Sequence, residues 1–390
     1  MRGRKILTIQ YCNSCLFPET KPNIYFDING VCSACNNYKN RLKVNWKERE
    51  REFLRFIKKQ KKFSRSDYDC VVPVSGGKDS IYQVIKCLEL GLKPLCINAV
   101  TCDFSEIGKK NFDVMCQLGV DVITVNTNKK VRAKLNNECL RLVGDIAWPE
   151  HVSIYTIPVK IALSLGINVL IWGENPQNEY GGPKATQGNR VRDRKWLEEY
   201  GGMGGLRISD LINQNIASEN EMSFFRYPEL KEIKKINFEG IYLGYYFPWD
   251  GFKNYETAKK VGFIDYGKSV EGSYFSYENL DNHQHGIHDY FKFIKYGYGR
   301  ATDQASILIR RKLISREEGV KFLKKHDGKF PWKYLGKPLK DILGLINMTT
   351  KEFTKISDQY TNPLIFKNKN GKFLKDKKLN LTKNNYDNLK

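Results

Sequence analysis

The sequence predicts an α/β fold built on a doubly wound parallel sheet, with an N-terminal cysteine module and a mixed, loop-rich C-terminal region. Three observations predict it. From 69 to about 172, short apolar runs alternate with helix-length segments, the pattern of strands joined by crossover helices. The first run ends in Val71-Val72-Pro73-Val74-Ser75-Gly76-Gly77-Lys78-Asp79-Ser80, where a buried strand must become a helix within a few small residues. Four of the ten cysteines fall in two C-x-x-C pairs ahead of that region.

Cys12-x2-Cys15 and Cys32-x2-Cys35 are 16 residues apart, a spacing that suits a four-thiolate zinc site. Four sulfur ligands leave no position open for substrate, so the expected role is structural; redox C-x-x-C pairs are the alternative. Between them, "NIYF" and "DING" read as a small hairpin. Residues 38–63 read as one charged linker helix. Strands are expected at "CVVPV", "PLCINAV", "DVITV" and "NVLIWG". Helices are expected at 80–90, 105–118, 129–143 and 153–165. Residues 174–298 are rich in Gly and aromatics and read as binding loops. Short helices follow at 302–311 and 316–326, the second opened by a Ser315–Glu318 capping box. The basic stretch 366–390 reads as a frayed tail. The expected division is 1–40 zinc module, 41–66 linker helix, 67–180 core, 181–335 substrate region completing the core, and 336–390 C-terminal helix and tail.

No stretch of 18 apolar residues occurs, and "MRGRKILTIQYC" lacks a signal-peptide apolar segment, so a soluble, cytoplasmic protein without membrane contact is expected. The net charge is +22, with 47 Lys and 18 Arg. Lys, Asn, Ile and Tyr together are what an AT-rich genome favours. Attraction to nucleic acid or to anionic small substrates are the functional readings of the same excess.

A strand that turns into a helix through small residues presents several backbone N–H groups and the helix dipole to an anion. Ser75 and Ser80 add hydroxyls, Lys78 a positive charge, and Asp79 a carboxylate for Mg²⁺ or for the helix end. The spacing is not that of a Walker loop. It resembles the SGGxDS PP-loop of the ATP pyrophosphatases, a Rossmann-like superfamily. These enzymes cleave ATP to AMP and pyrophosphate and so activate a carbonyl oxygen. The resemblance implies ATP at Ser75, Gly76, Gly77, Lys78, Asp79 and Ser80, with adenosine against Asn98, Ala99 and Val100.

Two branches of that superfamily carry zinc cysteines. A tRNA thiolase would need a reactive cysteine in the core, and only Cys102 is placed for it. "YCNSCLFPETKPNIYFDINGVCSACNNY", "PVSGGKDSIYQ", "GENPQNEYGG", "YFPWDGFKNYETAKKVGF" and "GRATDQASILIRR" resemble, in order, the N-acetyl sugar amidotransferases of lipopolysaccharide and flagellin-sugar biosynthesis. That resemblance implies conversion of an acetamido into an acetamidino group. The substrate would be an acidic or nucleotide-linked N-acetyl sugar. Ammonia would come from a glutaminase and a cyclase-like partner, and nucleic acid would play no part. Lys78, Asp79 and Glu174 are the expected catalytic residues. Asn175, Arg300, Asp303 and His285 are expected on substrate, although Asp303 also reads as a helix N-cap. His283, His285 and His288 read as a second metal site or as hydrogen-bonding groups. A zinc-bearing nucleic-acid adaptor is the non-enzymatic alternative.

Overall fold

The computed structural model describes residues 9–184 and 188–366, together with the backbone of short strands at 368–369 and 372–373. The tail expected over 366–390 falls almost wholly outside these residues.

Five parallel strands form the central sheet: β1 (Cys70–Pro73), β2 (Pro94–Ala99), β3 (Asp121–Val125), β4 (Val169–Trp172) and β5 (Glu239–Tyr242), in the order β3-β2-β1-β4-β5. Alternate β1 side chains point to opposite faces, and both faces are covered. Cys70 and Val72 pack with Phe53 and Ile57 of α2 (Trp46–Gln60) and Ile81 and Val84 of α3 (Lys78–Glu89). On the other face, Val71 and Leu95 meet Ile157, Val159 and Ala162 of the helix Trp148–Ser164. This explains why β1 and β2 read as unbroken apolar runs. The chain moves outward from β1 to β3, then returns to place β4 on the other side of β1. The carboxyl ends of β1 and β4 therefore flank the switch point, where such sheets bind ligands.

Several elements differ from expectation. The linker helix is two helices, α1 (Ser33–Arg41) and α2, because Asn45 caps the second by accepting from Glu48 N at 3.2 Å. The hairpin reduces to single bridges, Tyr11 with Pro18 and Phe26 with Cys32. Its turn does form, with Asp27 Oδ1 accepting from the Asn29 and Val31 amides. β5 and the helices Gly251–Lys260 and His285–Tyr296 arise inside the region expected to be loops. The Ser315–Glu318 capping box forms as expected, opening the helix Arg316–His326. No helix among the described residues is long and apolar enough to cross a membrane.

Candidate active site

The Sγ atoms of Cys12, Cys15, Cys32 and Cys35 lie within 4.8 Å of one another, and all four residues are buried. The chain closes on itself here because Cys32 caps α1, which puts Cys35 on its first turn. The amides of Ser14, Cys15 and Cys32 point at Cys12 Sγ from 3.3, 3.4 and 3.2 Å. The neighbouring thiols of Cys15, Cys32 and Cys35, and after them the Cys32 amide, hold the Cys12 thiol well below its usual range. A buried, all-sulfur set of four fits structural Zn²⁺.

The loop after β1 is built as a helix entrance. Gly77 caps α3, its amide donates to Ser75 Oγ at 3.4 Å, and Ser80 Oγ donates to the Gly77 carbonyl at 2.9 Å. The two glycines serve different needs. Gly76 has φ +83°, and a Cβ there would lie 2.6 Å from the Phe112 nitrogen, so the fold itself requires glycine. At Gly77 φ is −68°, and the nearest obstacle to a Cβ is Ser75 Oγ at 3.4 Å. Packing does not demand its bareness.

Lys78 is buried, with Nζ 2.5 Å from Asp79 Oδ2 and 3.9 Å from Glu278 Oε1. Burial alone lowers its pKa, but Asp79 and Glu278 outweigh this and hold it above the ordinary lysine value. The other oxygen of Asp79 accepts from Asn254 Nδ2 at 2.7 Å. The loop thus carries a fixed cation and a carboxylate already oriented from the helix Gly251–Lys260.

A cavity of about 410 Å³ opens over this loop. Ser75 through Ser80, Glu174, His285, Arg300 and Asp303 all line it. Glu174, just past β4, has no hydrogen-bond or ion-pair partner among the described residues. Burial, then the nearby Glu179 and Asp79 carboxylates, push its carboxyl up to about 8. A carboxyl with such a value changes protonation near neutral pH, as a group that takes or gives a proton in a reaction must. Glu179, Tyr277 and Glu278 also line the cavity and were not singled out in the sequence. Glu179 lay within "GENPQNEYGG", five residues after Glu174, and Glu278 had no local signal.

Other expected residues stand elsewhere. Asn175 accepts from Gln177 N at 3.1 Å and donates to Asn189 O at 3.2 Å; it caps the short helix Pro176–Tyr180 and does not line the cavity. Asn98 turns back to donate to Val74 O at 2.8 Å, and the Val100 amide pairs with Val125 O at 3.1 Å. Neither residue lines the cavity. Asp303 pairs with Lys292, and the N-cap reading gives way because Asp327 caps that helix, accepting from the Gly299 and Ala301 amides at 3.0 and 2.9 Å. The three histidines diverge: His283 meets Asp103, His285 meets Asp281, and His288 meets Asp145. The four cysteines are the only metal-ligand group found among the described residues. Burial pushes the Cys102 thiol up to about 12, and it lies outside the cavity.

Residues 250–381 match the family model described as "LPS biosynthesis protein WbpG-like, C-terminal domain". This segment contributes Tyr277, Glu278, His285, Arg300 and Asp303 to the cavity. No curated protein matches the chain. The similarity, covering the C-terminal third, points to lipopolysaccharide biosynthesis and leaves the reaction to be argued from the site.

Proposed function

We propose that the protein is an ATP-dependent, AMP-forming amidotransferase that converts the acetamido group of a sugar into an acetamidino group during surface-glycan synthesis. The observation that carries this reading is the convergence of the Ser75–Ser80 loop, Glu174 and Arg300 on one cavity, in a chain whose C-terminal third resembles a lipopolysaccharide-biosynthesis domain. The Gly77 end of α3 and Lys78 suit the β- and γ-phosphates of ATP. The carboxylates of Asp79 and Glu278 are oxygen donors of the kind Mg²⁺ takes, and Mg²⁺ would supply charge neutralisation on the phosphates.

The amide is a poor electrophile because its oxygen is a poor leaving group. Attack of that oxygen on the α-phosphorus expels pyrophosphate and gives an imidate bearing AMP. Ammonia then adds to the imidate carbon, Glu174 accepts the proton this addition releases, and AMP departs with the amide oxygen. Arg300 suits an anionic group on the sugar. Ammonia comes from a glutaminase and cyclase-like partner, and the reaction belongs in the cytoplasm. The thiolase reading lacks support, since Cys102 is a protonated thiol away from the loop.

Incubation with ATP, Mg²⁺, ammonium and an acetamido sugar tests the proposal. AMP and pyrophosphate formed only when the sugar is present are expected. ADP, or AMP released with tRNA and not with sugars, would overturn it.

A further inference from the structure

Two buried amide side chains support the loop after β1, each from a different helix. Asn254 is 1% exposed and belongs to the helix Gly251–Lys260, where its Nδ2 donates to Asp79 Oδ1 at 2.7 Å. Gln304 is 2% exposed and belongs to the helix Arg300–Arg310, where its Nε2 donates to Glu278 Oε2 at 2.7 Å. Each carboxylate turns its remaining oxygen to Lys78: Asp79 Oδ2 lies 2.5 Å from Nζ, and Glu278 Oε1 lies 3.9 Å from it. Amide, carboxylate and ammonium thus follow one another in that order from two directions.

Chemistry fixes the orientation of both amides. An ionised carboxylate only accepts, so the atom that faces it must be the NH₂ group. At Gln304 the other end is settled as well, because Oε1 accepts from the Tyr274 amide at 2.9 Å. A second bond from Nε2, to Ser273 Oγ at 2.7 Å, leaves that side chain no freedom to turn. Asn254 is held through its helix, whose capping Asp250 pairs with Arg311 at 2.9 Å. Neutral donors are what this arrangement needs. A lysine or arginine in either place would neutralise its carboxylate and draw it from Lys78, whereas an amide orients the carboxylate and leaves its charge. Lys78 depends on that charge, because burial disfavours an ammonium ion. Its other neighbours are the Glu174 carboxyl and the Tyr277 ring, whose centroid is 5.7 Å from Nζ.

We infer that Asn254 and Gln304 are positioning residues, which act through Asp79 and Glu278 to fix the ammonium group of Lys78 toward an anion held on the loop. The inference rests on the proposed function in one respect, that this anion is a phosphate.

Competitive labelling of the full chain with acetic anhydride across pH, read by mass spectrometry, follows Lys78 without any ligand, since only the neutral amine reacts. In wild type the midpoint for Lys78 should lie above that of the exposed lysines, because Asp79 and Glu278 outweigh its burial. Asn254→Leu and Gln304→Met approximate the shape of each side chain and remove its donor. In each, the Lys78 midpoint should fall by about one pH unit, while the exposed lysines of the same sample stay where they were. Calorimetry with pyrophosphate should show affinity reduced at least about threefold in both. Thermal melting of the same samples shows whether each variant is folded, and the wild-type midpoint is a test that needs neither. A wild-type midpoint at or below that of the exposed lysines overturns the inference. So does an unmoved midpoint, or unchanged pyrophosphate affinity, in a folded variant. Shifted midpoints without pyrophosphate binding by wild type would leave Lys78 positioned by the two amides and remove the proposed nucleotide site. Pyrophosphate binding with unmoved midpoints would do the reverse.

Discussion

Arg41, six residues beyond the last cysteine of the cluster, forms an ion pair with the buried carboxylate of Glu179 on the cavity wall. Arg311 reaches the other oxygen of that carboxylate at 3.3 Å, and Arg310 donates to the Glu179 carbonyl. Asn37 of α1 adds a bond to Gln177 O at 2.9 Å. The cysteine module is thus fastened to the segment between Glu174 and Tyr180, and the geometry of the cluster bears directly on the cavity.

Cys32→Ser should therefore act at two levels. A closed thiolate site contributes its binding free energy to folding, so the variant should carry less than about one zinc per chain and melt at a lower temperature. The released module should also loosen Arg41 from Glu179 and reduce AMP formation. Metal analysis alongside thermal melting checks the first effect. Full zinc content with unchanged melting would remove the metal assignment.

The two loop glycines should separate stability from activity. Gly76→Ala forces a side chain into the left-handed region and against the backbone at Phe112, a cost of at least about 1–2 kcal/mol. Gly77→Ala keeps an ordinary φ and should cost less than about 1 kcal/mol. Its methyl group nevertheless stands where a phosphate must approach the amides, so ATP binding should fall while melting stays nearly constant. Urea unfolding and nucleotide titration of both variants make the comparison. Normal ATP affinity in Gly77→Ala would take the loop out of nucleotide binding.

Much of this was legible because local rules and tertiary structure agree there. The β1 run, the loop and α3 follow from apolar patterning and small residues, and the cysteine cluster follows from spacing alone. What was not legible depended on distant partners. β5 is four residues whose apolar character comes mainly from Ile241 and Tyr242, and it forms only because β4 offers an edge to pair with. Asn175 stood at the right sheet edge for a ligand, yet it also met the requirements of an N-cap, and the helix took it. Glu278 comes to Lys78 from 200 residues away, a pairing that no local pattern encodes.

Glu174 should leave a signature in the pH dependence of stability. Its carboxyl is raised from 4.5 to about 8, so the folded protein holds that proton more tightly than the unfolded chain does. The resulting stability is fully present below the unfolded value and is lost as pH rises through the folded one. Glu174→Gln cannot lose a proton and escapes this loss. The two proteins should melt alike near pH 5, and wild type should fall below the variant by about pH 9. Parallel curves across that range would show that Glu174 titrates as an ordinary exposed carboxyl.

The fate of the amide oxygen tests the proposed chemistry most directly. If the acetamido oxygen attacks the α-phosphorus, it must leave on AMP. If the enzyme instead phosphorylates the amide through the γ-phosphate, that oxygen leaves on inorganic phosphate and the nucleotide product is ADP. The short loop favours the first path, because its amides and Lys78 can hold the departing pyrophosphate as charge builds on it. A sugar labelled with ¹⁸O in the acetamido carbonyl distinguishes the two, with ammonium supplied directly so that no partner is required. Mass spectrometry should find the label in AMP. Glu174→Gln should slow ammonia addition while pyrophosphate release persists, since attack of the amide oxygen on phosphorus needs no base on ammonia. Label in phosphate would sink the adenylation path and the role given to residues 75–80. Equal loss of both half-reactions in the variant would move Glu174 from proton acceptor to substrate binding.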